Sequence, residues 1–347
     1  MRLIGNLIHH YEKRLANTDM KLSILIPTYN RCKDLEHNFS MLISFIKALP
    51  HPEDVCVIIS DNASTDDTSS LMLKVQETAC VRINYIRQEQ NQGYCKNVCL
   101  LLSRASTPWV MLLGDDDYLE PWYISECLKQ IEEHPNLGCI IPNYMDYYPA
   151  TGEYGHLREE NCETQYYNAG FDTCLQNAWR AHQLSGLCFR RENVVEEFRK
   201  RGMNNLYPQI FFVSYNALRY DVLHWGQKCL CVSGVPQSQK DWNYGDDGLV
   251  NDIYENFKNL GVSKKQRARI ESYFMQIQKR HLWTTNTNLC VEKILSGKNV
   301  SYLGRYYIAK QILHDQCYTG RRLRFRFYLL ARFELLRKLL TGKPIQL

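Results

Sequence analysis

Short apolar runs and helix-spaced segments alternate from residue 21 to residue 113, and each of the first two runs breaks off in a polar cluster. The first run, Ser23-Ile24-Leu25-Ile26, stops at Pro27-Thr28-Tyr29-Asn30. From Asp34 to Leu49, apolar residues at Leu35, Phe39, Leu42, Ile43 and Ile46 keep the spacing of a helix face. A second run, Val55 to Ile59, gives way to Ser60-Asp61-Asn62-Ala63-Ser64-Thr65-Asp66, and a helix is expected over Ser69 to Glu77. Val81 to Ile86 alternates as a third strand, and Gly93 to Ser103 reads as a helix feeding a strand over Val110–Leu113. Strand–helix alternation of this kind predicts an α/β fold with a mostly parallel sheet and crossover helices. The polar clusters then fall on one sheet edge, where such folds gather ligands.

The last of these strands ends in Gly114-Asp115-Asp116-Asp117. Adjacent carboxylates raise one another's pKa unless a counter-charge is present. A hard divalent cation, Mg²⁺ or Mn²⁺, suits such oxygen ligands and keeps positions for waters and substrate phosphates. The plainer alternative is an acidic turn, with Asp117 capping a helix opened by Pro121.

Four ordered segments carry a resemblance: Ser23-Ile24-Leu25-Ile26-Pro27-Thr28-Tyr29-Asn30-Arg31, Ser60 to Asp66, Asn91-Gln92-Gly93 with Lys96-Asn97, and Gly114 to Asp117. Together they resemble the signatures of family 2 glycosyltransferases, whose fold is the GT-A type. Leu206-Tyr207-Pro208-Gln209-Ile210 and Gly245-Asp246-Asp247-Gly248-Leu249-Val250 are similar, more weakly, to the abequosyltransferase-like branch that builds bacterial surface polysaccharides. The resemblance implies that Pro27, Thr28, Tyr29 and Asn30 line a base pocket and that Asp61 accepts a hydrogen bond from the base. It implies that Gly93 and Lys96 lie beside the nucleotide and its phosphates, and that Asp115 faces the ribose. Asp116 and Asp117 would hold the metal that bridges the diphosphate. An Asx turn at Asp61-Asn62 and a solvated helix face at Lys96 are the plain alternatives.

The chain departs from the family where the acceptor is deprotonated. Many inverting members carry an acidic pair beyond the metal motif, because an inverting displacement needs a base in hydrogen-bond reach. Ser185 to Arg191 resembles the segment that precedes that pair, yet Tyr207-Pro208-Gln209 stands where the pair is expected. Asp246 and Asp247 are the next acidic pair, on a glycine-flanked loop, and are the candidate catalytic residues. Capping of a helix near Leu249 competes with that role, and a retaining mechanism needs no such base.

Three regions are expected: an amphipathic helix over 1–20, a GT-A domain over 21–250 (a nucleotide half, 21–121, and an acceptor half, 122–250), and a helical C-terminal region over 251–347. Leu3, Ile4, Leu7, Ile8, Tyr11 and Leu15 share a face of the first helix, and Ile253, Phe257, Leu260, Tyr273, Phe274 and Ile277 recur at helical spacing in the last region. The 14 cysteines include no Cys-x-x-Cys pair and are expected to be buried, reduced thiols. Tyrosines crowd residues 144–167, a surface on which sugars would stack.

Net charge is +5, with basic residues concentrated between Arg321 and Lys338 among aromatic and leucine side chains. That mixture suits peripheral contact with an anionic membrane, although on a helical wheel the arginines fall on several sides. No nucleic-acid recognition motif accompanies the charge, so no nucleic-acid partner is expected.

The expected activity is metal-dependent transfer of a sugar from a nucleotide-sugar donor to a saccharide acceptor, lipid-linked, in surface-polysaccharide synthesis. The expected location is cytoplasmic, peripheral on the inner membrane face. Two other readings stand: a degenerate GT-A domain serving as a binding or assembly subunit, and a nucleotidyltransferase. The second lacks a Gly-rich phosphate loop near the N-terminus.

Overall fold

In the computed structural model, residues 20–234, 250–282 and 318–341 are described. The expected helix over 1–20 and the Asp246/Asp247 loop lie outside these residues.

The expected alternation appears almost residue for residue. Strand β1 (Leu22–Thr28) is followed by helix α1 (Cys32–Lys47), β2 (Val55–Asp61), α2 (Thr68–Thr78), β3 (Arg82–Arg87), α3 (Tyr94–Arg104) and β4 (Trp109–Leu112). β1 and β2 are buried along their whole length, as near-continuous apolar runs flanked by strands and helices must be. Helix α1 buries Leu35, Phe39, Leu42 and Ile46, the face its spacing predicts.

After the acidic loop come β5 (Tyr118–Leu119), α4 (Tyr123–Glu133), β6 (Leu137–Tyr148), β7 (Glu153–Leu157), β8 (Gln165–Tyr167) and α5 (Phe171–Asn177). Then follow β9 (Cys188–Arg190), α6 (Val194–Lys200), α7 (Pro208–Ala217) and β10 (Asp221–Ser233). The strands form one sheet in the order β3-β2-β1-β4-β9-β6-β10-β5, with β7 on β6 and β8 on β10. Strands β3, β2, β1 and β4 are mutually parallel. Beyond them β9 enters antiparallel between β4 and β6, and β6 and β10 resume parallel pairing. The fold is thus α/β with a mixed second half.

Two compact units can be distinguished. One holds the sheet, from Met1–Thr173, Gln183–Arg199 and Asn216–Val235; the other draws on Cys174–His182, Lys200–Tyr215 and Pro236–Leu347. In the second unit, α8 (Val250–Lys258), α9 (Lys264–Leu282) and α10 (Tyr318–Thr341) carry out the expected helical C-terminal pattern. Ile253, Phe257, Leu260 and Phe274 are buried there, with the Phe257 and Phe274 rings 5.6 Å apart. Described cysteines are free thiols, most of them buried.

Candidate functional site

Parallel pairing brings the ends of β1, β2 and β4 to one edge, and the three polar loops meet there. Thr28 and Asp61 are direct register partners. Asn30 sits in the left-handed region at φ 52°, a conformation asparagine tolerates better than most residues, and turns the chain out of β1. Its Oδ1 accepts from the Thr65 amide at 2.7 Å, and its own amide donates to Ser64 Oγ at 2.9 Å. The loops after β1 and β2 are therefore stitched together. Pro27 and Thr28 are buried beneath this rim, while Tyr29 is 38% exposed above it.

Asp61 is fully buried and is the acceptor at the centre of the second loop. Its Oδ1 takes the Ser64 amide at 2.7 Å and its Oδ2 the Tyr85 hydroxyl at 2.7 Å, with Arg87 Nε 3.7 Å away. Burial, together with the charge of Asp61, pushes the Tyr85 phenol up to about 12, so it stays a donor. The Asx-type turn therefore exists, and it also holds a carboxylate at the sheet edge.

The third loop is a polar lattice. Asn62 accepts from the Gln92 amide at 2.8 Å and donates to Asn91 Oδ1 at 2.8 Å, and Gln88 bridges Asn62 and Asn97. Gly93 caps α3 at φ 82°, a conformation open to glycine at no steric cost. Lys96 is exposed on the first turn of α3.

The three aspartates have three different surroundings. Asp115 accepts the Thr28 hydroxyl at 2.7 Å. Burial first, and then the neighbouring charge of Asp116, push its carboxyl up to about 8 despite Thr28 and Arg31. Asp116 lies 3.5 Å from Arg31 Nη1. Burial works against the Arg31 charge, but Asp115, Asp116 and Asp34 outweigh it and raise its pKa. Asp117 is buried and turned inward. Its Oδ1 accepts the Ser233 amide at 2.8 Å, and its Oδ2 accepts from Gln183 Nε2 at 3.0 Å and from the Ser185 hydroxyl. It does not cap a helix: Tyr118–Leu119 pairs with β10, and α4 begins only at Tyr123.

Several of these partners carry no signal in the sequence. Ser233 acts through its backbone, and Gln183 and Ser185 reach Asp117 from more than sixty residues away. Asn38, buried on α1, donates to the Gly114 carbonyl at 2.9 Å and fixes the loop from the opposite side. A row of rings leads outward from the loop: Tyr118 to Tyr147 at 6.0 Å, and Tyr147 to the exposed Tyr154 at 5.0 Å. Where the family's acidic pair is expected, Pro208 opens α7, and Gln209 donates to the His182 carbonyl at 3.2 Å.

A family model described as glycosyl transferase family 2 matches residues 23–217, more than half of the chain. GalNAc(5)-diNAcBac-PP-undecaprenol beta-1,3-glucosyltransferase of Campylobacter jejuni is 34% identical over 127 residues, covering 35% of this chain and 38% of that protein. Abequosyltransferase RfbV of Salmonella typhimurium is 34% identical over 100 residues, 29% of each chain. The chain thus spans well under half the length of these two relatives. Among solved structures, S. aureus TarS 1–349 in complex with UDP-GlcNAc is similar at a TM-score of 0.62 and 15% identity, covering 94% of this chain and 93% of that one.

Proposed function

We propose that this chain, which belongs to glycosyl transferase family 2 and has its GT-A fold, transfers a sugar from a nucleotide-sugar donor to a saccharide acceptor. The observation that carries this reading is the meeting of Thr28, Arg31, Asp61, Asp115 and Asp116 on one sheet edge. Residues 21–121 supply the nucleotide half and 122–250 the acceptor half. Pro27 to Asn30 and Asp61 line the base pocket, Gly93 and Lys96 lie toward the phosphates, and Asp115 faces the ribose.

The donor chemistry of the acidic loop fits Mn²⁺ or Mg²⁺. Asp115 and Asp116 are adjacent carboxylates; burial first and then the charge of Asp116 raise the Asp115 pKa even beside Arg31, and a divalent cation held by the loop would relieve the repulsion between them. Asp116 is the direct ligand, and Asp117 serves the site by holding the loop in place. When bound, the cation neutralises charge developing on the diphosphate leaving group. Arg31 adds fixed positive charge beside it, and Thr28 orients the Asp115 carboxylate. The ring series Tyr118, Tyr147 and Tyr154 offers stacking faces for an acceptor sugar. Asp246 and Asp247 are proposed as the base, should the reaction invert.

A panel of sugar nucleotides tests this reading. Release of a nucleoside diphosphate that requires Mn²⁺ and stops in EDTA is expected; pyrophosphate release, or binding without turnover, overturns it. In the same panel Asp61→Ala is expected to weaken donor binding by about 1–3 kcal/mol while the metal requirement stays. Unchanged affinity in a calorimetric titration would make Asp61 a turn brace only.

The acceptor we propose is lipid-linked, as the name of the Campylobacter relative states for its own substrate, and the enzyme works at the inner face of the cytoplasmic membrane. Helix α10 supports this. Phe325, Leu329, Phe333, Leu336 and Leu340 are exposed and recur at spacings of four, four, three and four, which aligns them on one face. Among the described residues no helix is long and apolar enough to cross a membrane. Sedimentation with phosphatidylglycerol vesicles, lost with phosphatidylcholine alone and in Phe325→Ser/Phe333→Ser, is expected. Equal sedimentation by the double variant removes α10 from the contact.

A further inference from the structure

We propose that Cys162 and His224, oriented by Glu159, form a binding site for a thiophilic divalent cation of the zinc class. The three lie outside the acidic loop: His224 and Ser233 of β10 pair with Ile141 and Tyr147 of β6, six positions or about 20 Å apart along that strand.

Cys162 Sγ is 3.7 Å from His224 Nδ1, and His224 Nε2 is 3.1 Å from Glu159 Oε1. Two donors bound to one tetrahedral ion at zinc–sulfur and zinc–nitrogen lengths stand about 3.5 Å apart, so a cation fits between sulfur and nitrogen with little movement. The far ring nitrogen faces a carboxylate. Nε2 makes no hydrogen bond as it stands, and a small turn of Glu159 that lets its carboxylate accept the Nε2–H would leave the Nδ1 lone pair facing the sulfur, the arrangement that metal-binding histidines adopt. One ligand atom from each residue falls within 4.8 Å of the others.

The surroundings hold this geometry in place. Asn161, at φ 57°, turns the chain so that Glu159 and Cys162 both face β10. Buried Asn143 on β6 grips the turn: its Nδ2 donates to the carbonyls of Glu159 at 3.0 Å and Gly226 at 2.8 Å, and its Oδ1 accepts the Glu159 amide at 3.2 Å. A Cβ at Gly226 would lie 2.0 Å from the Cys162 carbonyl oxygen, so the turn rests directly on strand backbone. The register of β10 against β6 slips between His224 and Lys228, and such a bulge re-aims the side chains beside it. His224 is fully buried and fixed, whereas Cys162 and Glu159 are part-exposed, which leaves the ion a way in. On binding, the thiol proton passes to solvent and the thiolate becomes the ligand. Water or a small anion completes the coordination, and the cation ties the connection between β7 and β8 to β10.

The sequence does not announce this site, because His224 follows Cys162 by 62 residues and no spacing motif links them.

Co²⁺ titration of the full chain, stripped with EDTA, tests the proposal through the thiolate-to-cobalt charge-transfer absorption. The expected result is a band that saturates at one ion per chain, is displaced by Zn²⁺ and survives excess Mg²⁺, which does not favour sulfur. The chain has 14 cysteines, so dependence on Cys162 is decisive. The band should vanish in Cys162→Ser and in Cys162→Ala, and Glu159→Gln should weaken affinity about 10–100-fold while keeping the band. No band in the native chain, or a band of equal affinity in both Cys162 variants, overturns the site. An unchanged affinity in Glu159→Gln overturns the orienting role of that residue.

Discussion

Asp117→Ala is expected to destabilise the protein by about 3–5 kcal/mol, read as a lower urea midpoint at unchanged slope. The size follows from what the carboxylate holds. Asp117 is 4% exposed and accepts from the Ser233 amide, the Gln183 amide group and the Ser185 hydroxyl. Ser185 in turn accepts from the Gly114 amide at 2.8 Å, so one carboxylate ties the acidic loop to the segment before β9 and to the end of β10. Alanine leaves these donors buried without an acceptor, and each costs about 1–3 kcal/mol when water cannot reach it. Asp117→Asn keeps an oxygen for Ser233 but turns an amino group toward other donors, and should fall between alanine and the native residue. A midpoint that does not move in Asp117→Ala would show that the loop holds itself without this brace.

That brace marks the boundary of what the sequence makes legible. Along β1, α1, β2 and α2 the local pattern and the tertiary structure agree, because apolar spacing decides both which element forms and which face is buried. Placement of Thr28, Asp61 and Asp115 on one edge follows from the same logic, since parallel strands end together. The inward turn of Asp117 does not. Its partners arrive from the 183–185 segment and from the backbone of β10, and an amide donor carries no residue identity. In the row Asp115-Asp116-Asp117 the local pattern does not tell Asp116 from Asp117 as the direct ligand, and only long-range packing gives each its own surroundings. The antiparallel entry of β9 is hidden for a related reason: a three-residue strand is too short to show a period, and its place between β4 and β6 is set by the pairs it forms. The Cys162–His224 pair is a third case, joined by a bulge and a left-handed turn that no spacing rule anticipates.

Asp116→Ala is expected to remove metal-dependent turnover by about 10³-fold or more, with the urea midpoint preserved. The two effects separate because Asp116 is far less enclosed than Asp117. Its side chain is 24% exposed, and its ion pair with Arg31 spans 3.5 Å at the surface, an interaction worth under about 1 kcal/mol. Its value lies in chemistry: a nucleoside diphosphate leaves with growing negative charge, and losing several kcal/mol of stabilisation there corresponds to the stated loss in rate. Donor binding in the absence of metal should change little, since the base pocket around Asp61 is untouched. The two alanine variants therefore form a crossed pair. Asp116→Ala should be stable and inactive at every Mn²⁺ concentration. Asp117→Ala, assayed at a temperature where it remains folded, should keep its Mn²⁺ requirement and a measurable part of its activity. Were Asp117→Ala the stable and inactive variant, and Asp116→Ala the active one, the metal ligand would be Asp117 and the inward geometry would belong only to the protein without its donor.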